Sequence, residues 1–166
     1  MASDNIHGEV APGFEPVRER FAANFTRDDV HREIGASLAV YRRGQKVVDL
    51  WGGYRDEAAT VPWTHDTLVN VWSTTKGVTA IALARLVDQG LIDYAAPVSN
   101  YWPEFAQGGK AAITVSQLLS HQAGLPGFVE PTSLEDFYDW ETVTSRLAAQ
   151  TPMWEPGTRN SYHAMT

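Results

Sequence analysis

Between Asp66 and Arg85 the chain carries a single charge, Lys76, within the stretch VWSTTKGVTAIALARL at residues 71–86. This composition specifies a helix from about Thr74 to a stop at Gly90, with apolar residues on almost every side up to Arg85. Such a helix gains nothing from a surface position, so the pattern predicts a central buried helix around which other elements pack. A lysine in that helix has no obvious polar surface to reach. Ser73 precedes it by three residues, and positions i and i+3 share a helix face, which brings hydroxyl and amine within hydrogen-bond reach.

That pairing carries chemistry. Serine is a poor nucleophile until a base takes its proton. A lysine at its ordinary value of about 10.4 is charged and useless as that base, but burial disfavours the ammonium and lowers the value. Ser73 at a helix N-terminus also places backbone N–H groups and the positive end of the helix dipole where an oxyanion would develop. A lone S-x-x-K is common, and its ordinary reading is an N-cap serine with a lysine reaching solvent. The uncharged helix sets this copy apart.

Residues from about 12 to 30 predict a first helix, with Val17, Phe21 and Phe25 at helical spacing. GASLAVYRRGQKVVDLWGGY then predicts a β-hairpin, with Gly44 in the turn and Gly52 and Gly53 ending its second strand. Apolar residues on both faces of these strands predict cover on both sides. Beyond the linker ATVPWTHD and the charge-poor helix, ITVSQLLSHQAGLPG predicts a short helix capped by Thr114, with Gln117 completing a capping box and GLPG breaking it. SLEDFYDWETVTSRLAAQ predicts a helix capped at Ser133, and TPMWEPGTRNSYHAMT a Pro/Gly loop. No repeat or low-complexity tract interrupts this order. A two-stranded hairpin is marginal alone, and no convincing third strand follows Gly53, so further strands are expected from elsewhere.

Several function classes fall away. At 166 residues and 43% hydrophobic, the chain has enough apolar surface for a sizeable core, which argues against disorder. Thirteen Lys and Arg against 20 Asp and Glu give a net charge of -7, and without a basic cluster nucleic acid is not expected as a partner. The six Trp, six Tyr and six Phe lack interleaved basic residues and therefore read as core or apolar pocket. Without Cys there is no disulfide, thiolate catalysis or Cys-based zinc site. His7, His31, His65, His121 and His163 lack zinc spacing, no G-x-S-x-G elbow occurs, and WGG and QGG lack the setting of a phosphate loop, so no metal or organic cofactor is expected. His121 is expected to bond backbone in a helix-end turn, and His163 to border the pocket. The polar N-terminus and the lack of a long apolar stretch predict a cytoplasmic protein without a membrane partner.

Three segments in order, WSTTKGVTAIALARLVDQGLIDYAAPVSNYWPEF, ITVSQLLSHQAGLPGF and WEPGTRNSYHAMT, resemble the serine β-lactamase and penicillin-binding-protein superfamily. Within it the resemblance is closest to the family VIII carboxylesterases, which are related to class C β-lactamases. It implies an α+β fold, a helical domain packed on a mostly antiparallel sheet, with Ser73 as the acylated nucleophile and Lys76 as its base partner. The second motif of that superfamily, Y-x-N, is matched by YHA, which makes Tyr162 the catalytic tyrosine and puts Ala164 in place of the Asn. In the superfamily that Asn helps bind the amide side chain of a β-lactam, so its loss favours ester hydrolysis.

The third motif, on a late strand that normally supplies the second oxyanion N–H, is not found. Residues 1–166 are therefore expected to be the N-terminal portion of one β-lactamase-like catalytic domain, completed by a C-terminal segment or second chain. The strand near Val47 to Trp51 would then expose an unpaired edge. The function implied is hydrolysis of small carboxylic esters, with Trp72, Tyr101, Trp102, Phe128, Trp154 and His163 as candidates to line an apolar pocket. Alternatives are a β-lactamase, D-amino-acid peptidase or linear-amide hydrolase on the same scaffold, or a non-catalytic interaction or assembly protein that kept the fold.

Overall fold

The computed structural model describes residues 5–164 and divides into two compact units that meet in sequence between Asn70 and Val71. The first unit is a three-stranded antiparallel sheet with one helix against it. Its strands are β1 (Ile6–Val10), β2 (Gly35–Arg42) and β3 (Gln45–Gly53), in the order β1-β3-β2. The expected hairpin is β2–β3, joined through Arg43 and Gly44 at φ 52° and 78°. Two successive left-handed residues make the tight turn whose twist suits a hairpin, and Gly44 takes its place without steric cost.

Alternation sets the faces of this sheet. Val48, Leu50 and Gly52 of β3 stand opposite Val40, Leu38 and Ala36 of β2, and opposite Val10, Gly8 and Ile6 of β1. On this face Ile6, Val48 and Leu50 are buried with Phe21 and Phe25 of the α1 region, whose rings meet edge to face at 5.3 Å. Truncating a residue such as Leu50 to Ala would cost about 2–5 kcal/mol. The other face carries Ser37, Asp49, Glu9 and Trp51, with His65 edge-on to Trp51 at 4.8 Å. The expected cover on both sides is thus not found in the described residues: Ser37, Ala39 and Tyr41 are exposed.

Two further expectations change here. A third strand does pair with the hairpin, but it precedes it. As a result β3 is central, and the unpaired edges belong to β1 and β2 rather than to Val47–Trp51. IHGEV buries only Ile6 fully, so it lacks the alternation that marks a strand in sequence. Helix α1 spans Glu15–Asn24, shorter than residues 12–30. At its end Asp29 accepts the His31 N–H at 2.9 Å and pairs with Arg27, an Asx-type turn that competes with continued helix.

The second unit is helical. Helix α2 (Thr74–Asp88) ends where Gly90 donates to Val87 and Leu91 to Leu86, both at 2.9 Å, with Gly90 at φ 71° as a C-terminal stop. Helix α3 (Val115–Leu119) begins with the expected capping box between Thr114 and Gln117. A 3-10 turn at Pro103–Ala106 and helix α4 (Trp140–Ala149) complete the frame around Val98, Phe105, Ile113, Val115, Ala123 and Leu125.

The helix expected from Ser133 is broken in two. Ser133 and Asp136 cap one short turn, after which Asp139 turns extended and recaps α4 by accepting from Glu141 N–H at 3.1 Å and Thr142 Oγ1 at 2.6 Å. The carboxylate offers the next turn's donors a partner that a continuous helix would deny them. The expected burial of α2 is also corrected: no residue of this helix is buried, and Val78 and Ile81 are 62% and 66% exposed. Its half-buried residues are Lys76, Leu83, Leu86 and Val87, and no described residues cover the remaining apolar side.

Candidate active site

Ser73 is the N-cap of α2, yet its hydroxyl caps nothing. Its backbone is already helical, at φ -65° and ψ -12°, and the Thr74, Thr75 and Lys76 N–H groups bond to the Val71, Trp72 and Ser73 carbonyls at 3.0–3.1 Å. The donors that a capping hydroxyl would serve are thus partly engaged, and Ser73 Oγ instead accepts a hydrogen bond from Lys76 Nζ at 3.2 Å. Just before it, Trp72 holds φ 48°, an uncommon conformation for a bulky residue. The Ser73 N–H bonds to no backbone carbonyl among the described residues.

Lys76 Nζ also lies 5.5 Å from the centroid of the Tyr162 ring, within cation–π range. Amine and tyrosine therefore meet through the ring face, with no hydrogen bond between Nζ and the phenol. Tyr162 sits on the loop after α4, which is laced to the turn after α3. Met153 N–H donates to Gly124 at 2.8 Å, Gly157 N–H to Gln122 at 2.9 Å and Ser161 N–H to His121 at 3.0 Å.

His121 is expected from sequence to have only a backbone role, and its backbone does close α3. Its ring does more. It lies 4.9 Å from the Tyr162 ring and 4.7 Å edge-on to His163. Burial, then the neighbouring His163 and Lys76, hold the His121 imidazole below the usual histidine value. The signal available in sequence was a histidine at the helix-end position where glycine is favoured: His121 takes φ 58°, a conformation that costs a side chain about 1 kcal/mol.

A cavity of about 480 Å³ opens beside these residues. Lys76, Thr79 and Ala80 of α2, Trp140, Thr144 and Leu147 of α4, Trp102, Trp154, His121 and His163 line it. Of the six sequence-proposed pocket residues, Trp102, Trp154 and His163 thus share this wall with Lys76. The other three do not. Trp72 is 80% exposed, Tyr101 uses its hydroxyl to accept from Asp93 N–H at 2.9 Å, and Phe128 packs on Phe137 with ring centroids 5.6 Å apart.

Lys110 was not singled out in sequence, and it is fully buried. Its Nζ donates to the carbonyls of Gln107 at 2.8 Å, Ala148 at 2.9 Å and Gln150, matching its three N–H donors to three acceptors. Burial pulls its pKa below the ordinary lysine value. The bonds tie the C-terminal end of α4 to the Gly108–Gly109 turn, and α4 in turn forms one wall of the cavity.

Comparison with known proteins places this arrangement. LipL of Mycobacterium tuberculosis, described as an esterase/beta-lactamase, is 44% identical over 165 residues, which make up 99% of this chain and 37% of LipL. The crystal structure of a family VIII carboxylesterase superposes with a TM-score of 0.83 at 52% identity, covering 96% of this chain and 42% of that one. A penicillin-binding protein homolog from Caulobacter crescentus gives a TM-score of 0.85 at 45% identity, again over 96% of this chain and 42% of that one. The chain spans about two fifths of the length of these relatives. The model of the beta-lactamase family matches residues 21–166, from α1 through the Ser73–Lys76 pair to Tyr162, and on that match, with the helices and antiparallel sheet seen here, the chain belongs to the beta-lactamase family.

Proposed function

We propose that this chain carries the reactive residues of a serine hydrolase that cleaves small carboxylic esters through an acyl-enzyme on Ser73. The observation that carries the reading is the 3.2 Å hydrogen bond between Lys76 Nζ and a Ser73 hydroxyl that serves no capping role. In its free-amine form Lys76 accepts the Ser73 proton as Oγ attacks the ester carbonyl. The carbonyl π pair moves onto oxygen, where the Ser73 N–H and the start of α2 stabilise it. Collapse expels the alkoxide, which takes a proton from the Lys76–Tyr162 pair. Water then attacks the acyl-serine, releases a carboxylic acid and returns the proton to Ser73.

The 5.5 Å approach of Lys76 Nζ to the Tyr162 ring supports a place for Tyr162 in that proton relay. Trp102 and Trp154 on the cavity wall support short-chain or aryl acyl groups. The proposal also includes a further segment of the whole protein that supplies the second oxyanion donor and covers the Val78–Ile81 side of α2. Its support is the exposure of those apolar residues and the two-fifths coverage of relatives. Among the described residues no helix is long and apolar enough to cross a membrane, and a cytoplasmic location belongs to the proposal.

A second reading is amide chemistry, which the likeness to a penicillin-binding protein homolog supports. Ala164 in place of the motif's Asn favours esters. Turnover of a nitrophenyl ester by the whole protein, compared with a chromogenic cephalosporin, separates the two. Ester turnover at least tenfold above cephalosporin turnover is expected, and the reverse order would transfer the assignment to amides.

A further inference from the structure

The turn after α3 holds a histidine in a place that glycine fills without strain. His121 N–H bonds to Leu118 at 3.1 Å and Gln122 N–H to Gln117 at 2.8 Å, the paired bonds of a helix end whose linking residue must take positive φ. A side chain kept there despite the backbone cost serves something beyond the turn. Its carbonyl accepts the N–H of Ser161, the residue before Tyr162, at 3.0 Å, and its ring stands 4.9 Å from the Tyr162 ring. Asn160, one residue earlier, donates its side-chain amide to the Ser120 carbonyl. Tyr162 is thus approached by Lys76 at 5.5 Å and by His121 through both backbone and ring.

We infer that His121 is the positioning residue for Tyr162, clamping it beside Lys76 while the imidazole is neutral and releasing it when the imidazole is protonated. The inference rests on the proposed roles of Ser73, Lys76 and Tyr162.

The titratable groups facing His121 are Lys76 from α2 and Tyr162 and His163 from the loop after α4. Helix α3 contains no titratable side chain, and α4 faces the cavity with Trp140, Thr144 and Leu147. His163 and Lys76 therefore both disfavour a charge on His121. Because burial and these neighbours disfavour its cation, the ring stays neutral through the neutral range and charges only below the usual histidine value. Activity should then fall on the acid side along with the loss of the clamp.

Two substitutions in the whole protein separate the ring from its proton. His121→Asn keeps a residue that tolerates positive φ but removes the ring, and His121→Phe keeps a ring that cannot titrate. Nitrophenyl ester turnover is followed against pH, together with the ring resonances of isotope-labelled Tyr162. His121→Asn should lose about tenfold to a hundredfold in kcat with KM within about twofold, the scale of a misplaced catalytic group. His121→Phe should recover kcat to within about threefold of the parent and lose the acidic shift of the Tyr162 resonances. Tyr162 resonances should follow a single acidic titration in the parent and in neither variant.

Parental kcat and Tyr162 resonances in His121→Asn, or a persistent acidic titration of the Tyr162 resonances in His121→Phe, would overturn the inference. Should His121→Asn fail to fold, the parent and His121→Phe titrations still decide. If the parent neither turns over ester nor takes a fluorophosphonate on Ser73, the proposed function fails, while the Tyr162 resonances continue to report on the clamp.

Discussion

Lys110 is fully buried and donates to three backbone carbonyls, whereas Lys76 is half-buried and donates to one side-chain hydroxyl. Carbonyl oxygens only accept, so Lys110 has nowhere to pass a proton, and its ammonium works as a clip between α4 and the Gly108–Gly109 turn. A hydroxyl both donates and accepts, so the Ser73–Lys76 pair can exchange a proton. The difference lies in the partners and not in the depth of burial. A withdrawn lysine is a candidate base when its neighbour can give it a proton, and a fold element when its neighbours cannot.

Substitutions at the two lysines should separate accordingly, and the largest effects are at the chemical pair. Ser73→Ala should bring ester turnover below about one per cent of the parent, since removing a serine nucleophile typically costs several orders of magnitude. Lys76→Arg should be nearly as damaging, because arginine keeps the charge but does not release a proton near neutral pH. Steady-state kinetics alongside far-UV circular dichroism would check both, with unchanged spectra expected. Parental turnover in Lys76→Arg would move the base elsewhere and break the contrast.

The reverse pattern is expected at Lys110. Lys110→Met should lower stability by about 2–4 kcal/mol, because it leaves three inward-facing carbonyls without their donor, while Ser73 keeps its reactivity in the folded fraction. Lys76→Met should shift stability by less than about 1 kcal/mol, as expected of a half-buried group with one side-chain bond. Urea denaturation of the two variants measures the difference directly. Equal losses would mean that Lys76 is as structural as Lys110.

The two lysines also differ in how far sequence could reveal them. Lys76 announces itself locally, because the missing charges around it and the serine one turn earlier lie within one helix. Two of the carbonyls that Lys110 serves are 38 and 40 residues away, and nothing in QGGK points to them. The same rule holds for the fold. The β2–β3 turn, the Thr114–Gln117 box and the Gly90 stop are short-range devices and were legible. Strand β1 was missed because its place depends on pairing with β3, 42 residues or so along the chain by the Val10–Val48 and Ile6–Gly52 register. His121 was read only in part, since its helix-end turn is local while its ring contacts are not. The composition of helix α2 calls for burial, whereas its Val78 and Ile81 are exposed among the described residues.

A smaller effect is expected at α4, which Lys110 holds at one end and Asp139 caps at the other. Bonds from Thr142 lower the Asp139 pKa, as bonds from Ser133 and then Arg146 lower that of Asp136. A carboxylate with a depressed folded value contributes stability that is complete above its unfolded value near 3.9 and is lost as pH falls through the folded value. Denaturation midpoints should therefore decline below about pH 4, and the decline should shrink in Asp139→Asn. An unchanged decline would assign the acid sensitivity to other carboxylates.

The proposed nucleophile is Ser73, activated by Lys76. It is tested most directly by treating the whole protein with a fluorophosphonate and reading the intact and peptide masses. One adduct is expected, on Ser73, absent from Ser73→Ala, strongly slowed in Lys76→Met and retained in folded Lys110→Met. A folded parent that takes no adduct, or an adduct formed equally fast in Lys76→Met, would contradict it.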